Sequence, residues 1–246
     1  RSSHPISWLH REKNLMQRYC VENDYTFINK SKVNAYLNTL KYPVYYLDFE
    51  AFPSILPRFR GESPYQQSVF QFSLHIEKEA ALNNDSSYLE HRYFLSEDGD
   101  DHRLELIEAL LNAIPSDGGS VVVYNQTFEK NRLLEFASLF PQYSQRLIEL
   151  SERLFDLYKV VKNDPNFYQK NHFSKSEIES YNYYNPSLDG SYSLKKVLPA
   201  LTNTDYSSLP INNGELAYVH YAKLPEMDKE TKDKTIKNLL DYCHLD

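Results

Sequence analysis

Two carboxylates interrupt an otherwise apolar stretch of the sequence, at Asp48 and Glu50 within Val44–Glu50. The β-branched and aromatic residues of this stretch predict a buried strand. Side chains two positions apart on a strand point to the same face, so the two carboxylates are expected to lie side by side. Two anions at a buried strand are costly unless a cation lies between them, and a divalent cation is the simplest candidate. With 34 acidic residues in 246, the pair alone is weak support, because most such pairs are solvated.

Two further segments carry residues that could join this pair. Glu129 is expected in the first turn of a helix that follows the apolar strand Val121–Tyr124. A carboxylate is favourable at a helix N-terminus in any case, so capping alone would explain it. Tyr242 and Asp246 are four residues apart in a predicted last helix and share one face. Each of these residues alone would be read as ordinary surface.

The elements predicted around these residues alternate between strands and helices. Strands are expected at 44–50, 66–76, 88–95 and 121–124, with helices at 104–114 and 127–139. This order predicts an α/β fold whose sheet is antiparallel first and parallel later. Further predictions are two helices within 6–40, a helix at 142–154, a short strand at 155–157, a long loop at 163–192, and helices at 194–201, 215–224 and 228–246. Asp100 or Asp101 is expected to cap the helix at 104–114, and Ser193 the helix at 194–201.

The three acidic segments together match a known pattern. The order acid-x-acid on a first strand, Asn-x-x-Phe-acid at a strand-to-helix junction and Tyr-x-x-x-Asp on a late helix resembles the DEDD 3′–5′ exonucleases, in their tyrosine subclass. More closely, the chain resembles an uncharacterised bacterial nuclease-like family, domain of unknown function 2779, in segments 46–50, 70–75, 124–129 and 190–199. The resemblance covers residues 42–246 and implies a ribonuclease H-like fold. Residues 1–41 are then an N-terminal helical extension.

The resemblance also implies a chemistry, the hydrolysis of phosphodiester bonds with two divalent cations, Mg²⁺ or Mn²⁺. It implies that Asp48 binds both cations, that Glu50 and Asp246 complete the one that activates water, and that Glu129 supports the one beside the leaving oxygen. Tyr242 would hydrogen-bond the attacking water. The superfamily usually has Asp where this chain has Glu129, whose extra methylene moves the carboxylate by about 1.5 Å. The closer family resembles this chain in using Glu there.

Contacts with nucleic acid are expected from residues near these segments, namely Phe52, Arg58, Asn125, Lys195 and Lys196. Solvated surface charge is the default alternative for the basic residues. Asp156 resembles an acid near the last strand of such folds, where a structural role is at least as plausible as a catalytic one. His244 is interpreted as a surface residue or a neighbour of a phosphate, and Gln71 and His75 have no assigned chemistry.

Composition limits the classes of function. A balance of 27 basic and 34 acidic residues gives a net charge of −7, which argues against a protein that coats nucleic acid through bulk positive charge. It leaves room for an enzyme that grips a free 3′ end, preferably single-stranded, through metal ions. The sequence contains no run of about 18 apolar residues, so it predicts no membrane-spanning helix. Two cysteines give neither a disulfide framework nor zinc spacing, so a reducing, cytoplasmic setting is expected.

The chain begins without Met and stops at Asp246 in mid-pattern, so we interpret it as a fragment of a longer protein with flanking domains. A helix end frays, and we therefore expect this fragment to bind metal more weakly than a longer chain. The sequence leaves DNA and RNA open as substrates. The competing interpretation is a ribonuclease H-like module with a degraded site that binds nucleic-acid ends or a partner protein. A glycosidase fits poorly, because its two acids must flank a sugar at least about 5 Å apart.

Overall fold

The computed structural model describes residues 11–79, 89–202 and 204–245. The start of the first predicted helix, Tyr88 of the third predicted strand and the proposed metal ligand Asp246 lie outside the described residues. In chain order the elements are α1 (Arg11–Asn23), β1 (Phe27–Ile28), α2 (Lys30–Leu37), β2 (Val44–Pro53), β3 (Gln67–Glu77), β4 (Glu90–Leu95), α3 (Arg103–Ala113), β5 (Val121–Val123), α4 (Thr127–Leu139), α5 (Ser144–Glu152), β6 (Leu154–Asp156), α6 (Leu157–Val161), α7 (Pro165–Lys170), α8 (Lys175–Glu179), β7 (Tyr183–Tyr184), α9 (Leu194–Leu201), α10 (Gly214–Lys223) and α11 (Lys229–Leu245).

The chain divides into two compact units. One consists of residues 1–40 and 156–205, and the other, which we call the sheet unit, consists of residues 41–155 and 206–246. None of the helices in the described part of the chain is long and apolar enough to cross a membrane.

A five-stranded mixed sheet, in the order β4-β3-β2-β5-β6, organises the sheet unit. β2 pairs antiparallel with β3, β3 antiparallel with β4, and β2 parallel with β5. The predicted α/β class and the change from antiparallel to parallel pairing are therefore confirmed.

The hydrophobic core of the sheet unit lies on one face of this sheet. Alternate residues of β2, among them Leu47 and Phe49, pack there against buried side chains of α3, α4 and α5. α10 contacts β2, and α11 contacts both β2 and β3. α10 begins where the side chain of Asn213 accepts a 2.8 Å hydrogen bond from the Leu216 amide, and α11 begins where Asp228 accepts one of 3.1 Å from Thr231.

The other unit contains a two-stranded antiparallel sheet of β1 and β7 and the short helices α6, α7 and α8. Lys32 is fully buried there, and its ammonium donates to Asn163 Oδ1 and to the carbonyl of Ser180, both at 3.0 Å. The same ammonium lies 4.5 Å from the ring centre of Tyr168. These contacts satisfy a charge that would otherwise be costly to bury.

Several sequence predictions need correction. Residues 163–192, predicted as a long loop, include α7, α8 and β7. Both helices are too short to show an apolar period, and polar caps define them: Asp164 accepts from the Phe167 amide, and Ser174 and Glu177 form a capping box. The N-cap residue of α3 is His102, whose side chain makes no capping hydrogen bond, although Asp101 Oδ1 accepts one of 3.3 Å from the Arg103 amide at the start of the helix. Ser193 precedes α9 but makes no side-chain cap hydrogen bond. Asp156 is buried and caps α6 through the Tyr158 amide, a structural role.

Candidate carboxylate site on the sheet

Asp48 and Glu50 lie on the β2 face opposite the hydrophobic core. The intervening residues Leu47 and Phe49 belong to that core, and side chains alternate along a strand. Asp48 is partly buried, whereas Glu50 is only 8 % exposed. The strand therefore carries two neighbouring carboxylates, one of them largely removed from water.

The junction that carries Glu129 follows the neighbouring strand. β5 runs parallel to β2 with Tyr46 opposite Val122, so extending this register by two residues brings Tyr124 level with Asp48. Glu129 lies in the first turn of α4 and is buried, with 4 % exposure. Between strand and helix, Asn125 has φ +66°, a left-handed conformation that Asn tolerates better than most residues. The parallel pairing thus places the junction at the sheet edge toward which Asp48 and Glu50 lead.

The last helix reaches the same strand from the far end of the chain. The thiol of Cys243 on α11 donates a 3.4 Å hydrogen bond to Asp48 Oδ2 across 195 residues of sequence. Its neighbour Tyr242 is also buried, and its ring centre lies 6.1 Å from that of Tyr206. The contact between Cys243 and Asp48 joins the late-helix segment to the acidic strand. Asp246, the remaining predicted ligand, lies outside the described residues.

Glu50 has two further neighbours, the N-terminus of α10 and the amide side chain of Gln71. Gly214 is the first residue of α10, and a Cβ built on it would lie 3.7 Å from Glu50 Oε2. A carboxylate this close to a helix N-terminus is stabilised by the helix dipole. Gln71 is directly opposite Glu50 on β3, and its amide donates to the Leu239 carbonyl of α11 at 3.0 Å. Its Oε1 atom is buried and has no hydrogen-bond partner in the described part of the chain.

The residues predicted to contact nucleic acid are distributed over both units. In the sheet unit, the guanidinium of Arg58 lies 4.6 Å from the ring centre of Phe52. Phe52 also makes edge-to-face contacts with Tyr218 and Tyr221 at 5.8 and 6.4 Å. Lys195 and Lys196 are exposed in the first turn of α9, in the other unit. Only Phe52, Arg58 and Asn125 therefore belong to the same unit as the carboxylates.

Sequence reasoning missed three residues on the same sheet face. Cys243 was set aside because its spacing fitted no zinc motif, but it contacts Asp48. His75 and His91 are opposite each other in the register of β3 and β4, and both ring systems also contact His244. The period-2 pattern of β3 could have placed His75 on the polar face, but its partners depend on pairing with distant segments.

The fold and this face define a class, namely an α/β domain whose mixed sheet carries acidic side chains on the face away from its core. The particular family follows from comparison with known proteins. The chain belongs to the family described as a domain of unknown function (DUF2779), which matches residues 45–193. The match contains Asp48, Glu50 and Glu129, and ends before Tyr242.

Two relatives extend the similarity over more of the chain. The uncharacterised MG366 homologue of Mycoplasma pneumoniae is 29 % identical over an alignment of 232 residues, which covers 88 % of this chain and 32 % of that protein. The uncharacterised protein MG366 of Mycoplasma genitalium is 31 % identical over an alignment of 187 residues, which covers 73 % of this chain and 26 % of that protein. The chain thus spans about a third or less of the length of these relatives. No solved structure matches it.

Proposed function

We propose that this chain is a metal-dependent 3′–5′ exonuclease of ribonuclease H-like fold, which hydrolyses DNA or RNA. The observation that carries the proposal is the contact between Cys243 and Asp48, because it joins the late tyrosine segment to the acid-x-acid strand. If the two acids on the strand had arisen by chance, there would be no reason for a buried helix end 195 residues away to pack on them. The parallel pairing of β2 with β5 supports a contribution from Glu129, because it directs the junction before α4 to the same edge of the sheet.

The donor set fits divalent cations that prefer oxygen. Asp48, Glu50 and Glu129 supply hard carboxylate oxygens, and Gln71 adds a buried amide oxygen beside Glu50. Such ligands suit Mg²⁺ or Mn²⁺ better than softer metals. Asp48, Glu50, Glu129 and Asp246 would hold the cations, which supply charge for phosphate binding and activation of water when bound. Glu50 and Glu129 are buried, and burying these anions is less costly when a cation neutralises them.

The protein's own residues would position the reactants. In this proposal the hydroxyl of Tyr242 donates or accepts one hydrogen bond with the attacking water and needs no change of ionisation itself. The Arg58 guanidinium stacked on Phe52 offers a positive charge for a phosphate and an aromatic surface for a terminal base. Asn125, in its left-handed conformation at the junction, would present its amide to the strand end.

The test is cleavage of 5′-labelled DNA and RNA oligonucleotides, single- and double-stranded, with Mg²⁺ or Mn²⁺. We expect a ladder that shortens from the 3′ end, stops with EDTA and is lost in Asp48→Asn. Tyr242→Phe keeps the ring and its packing against Tyr206, so we expect binding to persist while the cleavage rate falls by about 10²-fold or more, the scale of one positioned catalytic group. Asp233→Asn, an exposed substitution on the same helix, is the matched control.

Two outcomes would contradict the proposal. Cleavage unchanged in Asp48→Asn would assign the activity to a contaminant or to another site. Oligonucleotide binding that survives EDTA, without cleavage under any divalent metal, would instead select a binding module with the same fold.

A further inference from the structure

Three histidine side chains meet on the sheet unit, from elements far apart in sequence. They are His75 on β3, His91 on β4 and His244 on α11, and one ring nitrogen from each lies within 4.8 Å of the others. His75 Nε2 and His244 Nδ1 are only 3.1 Å apart, and the three ring centres are separated by 4.4 to 4.6 Å. We call these residues the histidine cluster.

The fold places this cluster beside the carboxylates but not among them. In the β2–β3 register, Ser73 is opposite Asp48 and His75 is opposite Tyr46, so the cluster lies about one row, roughly 7 Å, along the same face. Ser73 also hydrogen-bonds His91 Nε2 at 2.9 Å. An imidazole that binds a metal through one nitrogen commonly has its other nitrogen held in this way.

A cluster of imidazoles can also exist without any ligand, held by stacking and by hydrogen bonds between neutral rings. The environment favours the neutral form, since burial and the neighbouring rings lower the pKa of His75 to about 4 and lower that of His91 below its usual value. Neutral imidazole is the form that binds metal. His244 lies in the last turn of α11, where the negative end of the helix dipole would attract a bound metal cation.

We propose that His75, His91 and His244 bind one divalent transition metal such as Zn²⁺, at a site separate from the carboxylates. Three imidazoles prefer Zn²⁺, Ni²⁺, Co²⁺ or Cu²⁺ to Mg²⁺. Tetrahedral zinc with nitrogens at about 2.0–2.1 Å has ligand atoms about 3.4 Å apart. The nitrogens of His75 and His244, 3.1 Å apart, nearly meet this spacing. A side-chain rotation that moves the ring of the half-buried His91 by about 1 Å would bring its nitrogen into range.

Exposure and position give this site two consequences. His244 is exposed, which leaves a fourth position open to water or to a substrate group. A metal here would also fasten the last turn of α11, which carries Tyr242 and Cys243, to strands β3 and β4. The site goes beyond the proposed nuclease activity and does not depend on it, because it shares no ligand with the carboxylates.

The test is a titration of chelator-treated protein with Zn²⁺ by calorimetry, and with Co²⁺ by visible absorption, which reports nitrogen coordination directly. With excess Mg²⁺ present to occupy the carboxylates, we expect one Zn²⁺ per chain, at the histidine cluster. His75→Gln and His91→Gln should weaken binding by more than about tenfold, since loss of outer-shell partners alone costs about 10–100-fold. His244→Gln changes an exposed side chain, so it keeps the test valid should the strand variants fail to fold.

Two controls separate this site from its neighbours. His172→Asn removes an exposed imidazole outside the cluster, and Asn suits its positive φ of 61°. Asp48→Asn impairs the carboxylate site. Both variants should bind Zn²⁺ like the unaltered chain. Three results would each overturn the proposal: no Zn²⁺ binding by the unaltered chain, Zn²⁺ binding as tight in all three cluster variants as in the unaltered chain, or loss of Zn²⁺ binding in Asp48→Asn.

Discussion

Replacing Asp48 by Asn should make the metal-free chain more stable while it removes the proposed activity. The side chains are isosteric, and the Asn oxygen can still accept the hydrogen bond that Cys243 donates to Asp48. What changes is the charge beside Glu50. Functional sites often hold such unfavourable arrangements, which cost stability until a ligand binds.

The magnitude follows from the strand geometry. Residues two apart on a strand are separated by about 6.6 Å, and two unit charges at this distance repel by about 2.5 kcal/mol at an effective dielectric constant of about 20. Asp48 is only partly buried, so solvent screens this repulsion and we expect a gain of about 1–2 kcal/mol. For a chain of this size, 1 kcal/mol shifts Tm by about 2–4 °C.

Thermal unfolding in EDTA and then in rising Mn²⁺ measures both parts of this prediction. In EDTA the Tm of Asp48→Asn should exceed that of the unaltered chain by a few degrees. Mn²⁺ should raise the Tm of the unaltered chain, because binding to the folded state alone stabilises it. The variant should respond much less, and Asp233→Asn should behave like the unaltered chain.

The opposite pattern would refute the reasoning. If Asp48→Asn is less stable in EDTA, the carboxylate makes favourable contacts that outweigh its repulsion with Glu50. If, in addition, its response to Mn²⁺ is unchanged, Asp48 does not bind the metal.

Two further predictions concern the scaffold. A Cβ on Gly119 would lie 2.1 Å from the Pro43 carbonyl oxygen, so Gly119→Ala must displace backbone before β2 and should cost about 3 kcal/mol or more in urea unfolding. A Cβ on Gly118 meets no atom within 4 Å, so Gly118→Ala should cost only about 1–2 kcal/mol, as expected for an L-residue at a φ of +79°. Equal losses of stability in the two variants would show that the clash with Pro43 is unimportant. Burial, with a smaller effect of Lys13, lowers the pKa of Lys32 to about 8 in the folded chain. Between about pH 8 and 10 the unfolded chain therefore binds more protons than the folded chain, and the free energy of unfolding should rise with pH. Lys32→Met should remove this rise and Lys30→Met should not; a slope that persists in Lys32→Met would assign it to other groups.

Local chemistry was enough to predict the elements that carry the carboxylates. The bounds of α4 and α9 are those predicted, because both helices have an apolar period and a clear polar or turn segment before them. The strand over Asp48 and Glu50 was predicted from its apolar run. Composition failed at residues 163–192, where single turns of helix depend on caps that a search for apolar periods does not detect.

The sequence by itself determined that Asp48 and Glu50 share one strand face, since the period of a strand is a property of its backbone. Only the tertiary structure decided what meets them. The thiol of Cys243, the amide of Gln71 and the N-terminus of α10 reach this face through packing between segments up to 195 residues apart. The histidine cluster likewise depends on the register of β3 against β4, which a shift of one residue would destroy. Long-range register and helix docking arise from the burial of the whole core, so no short stretch of sequence contains them.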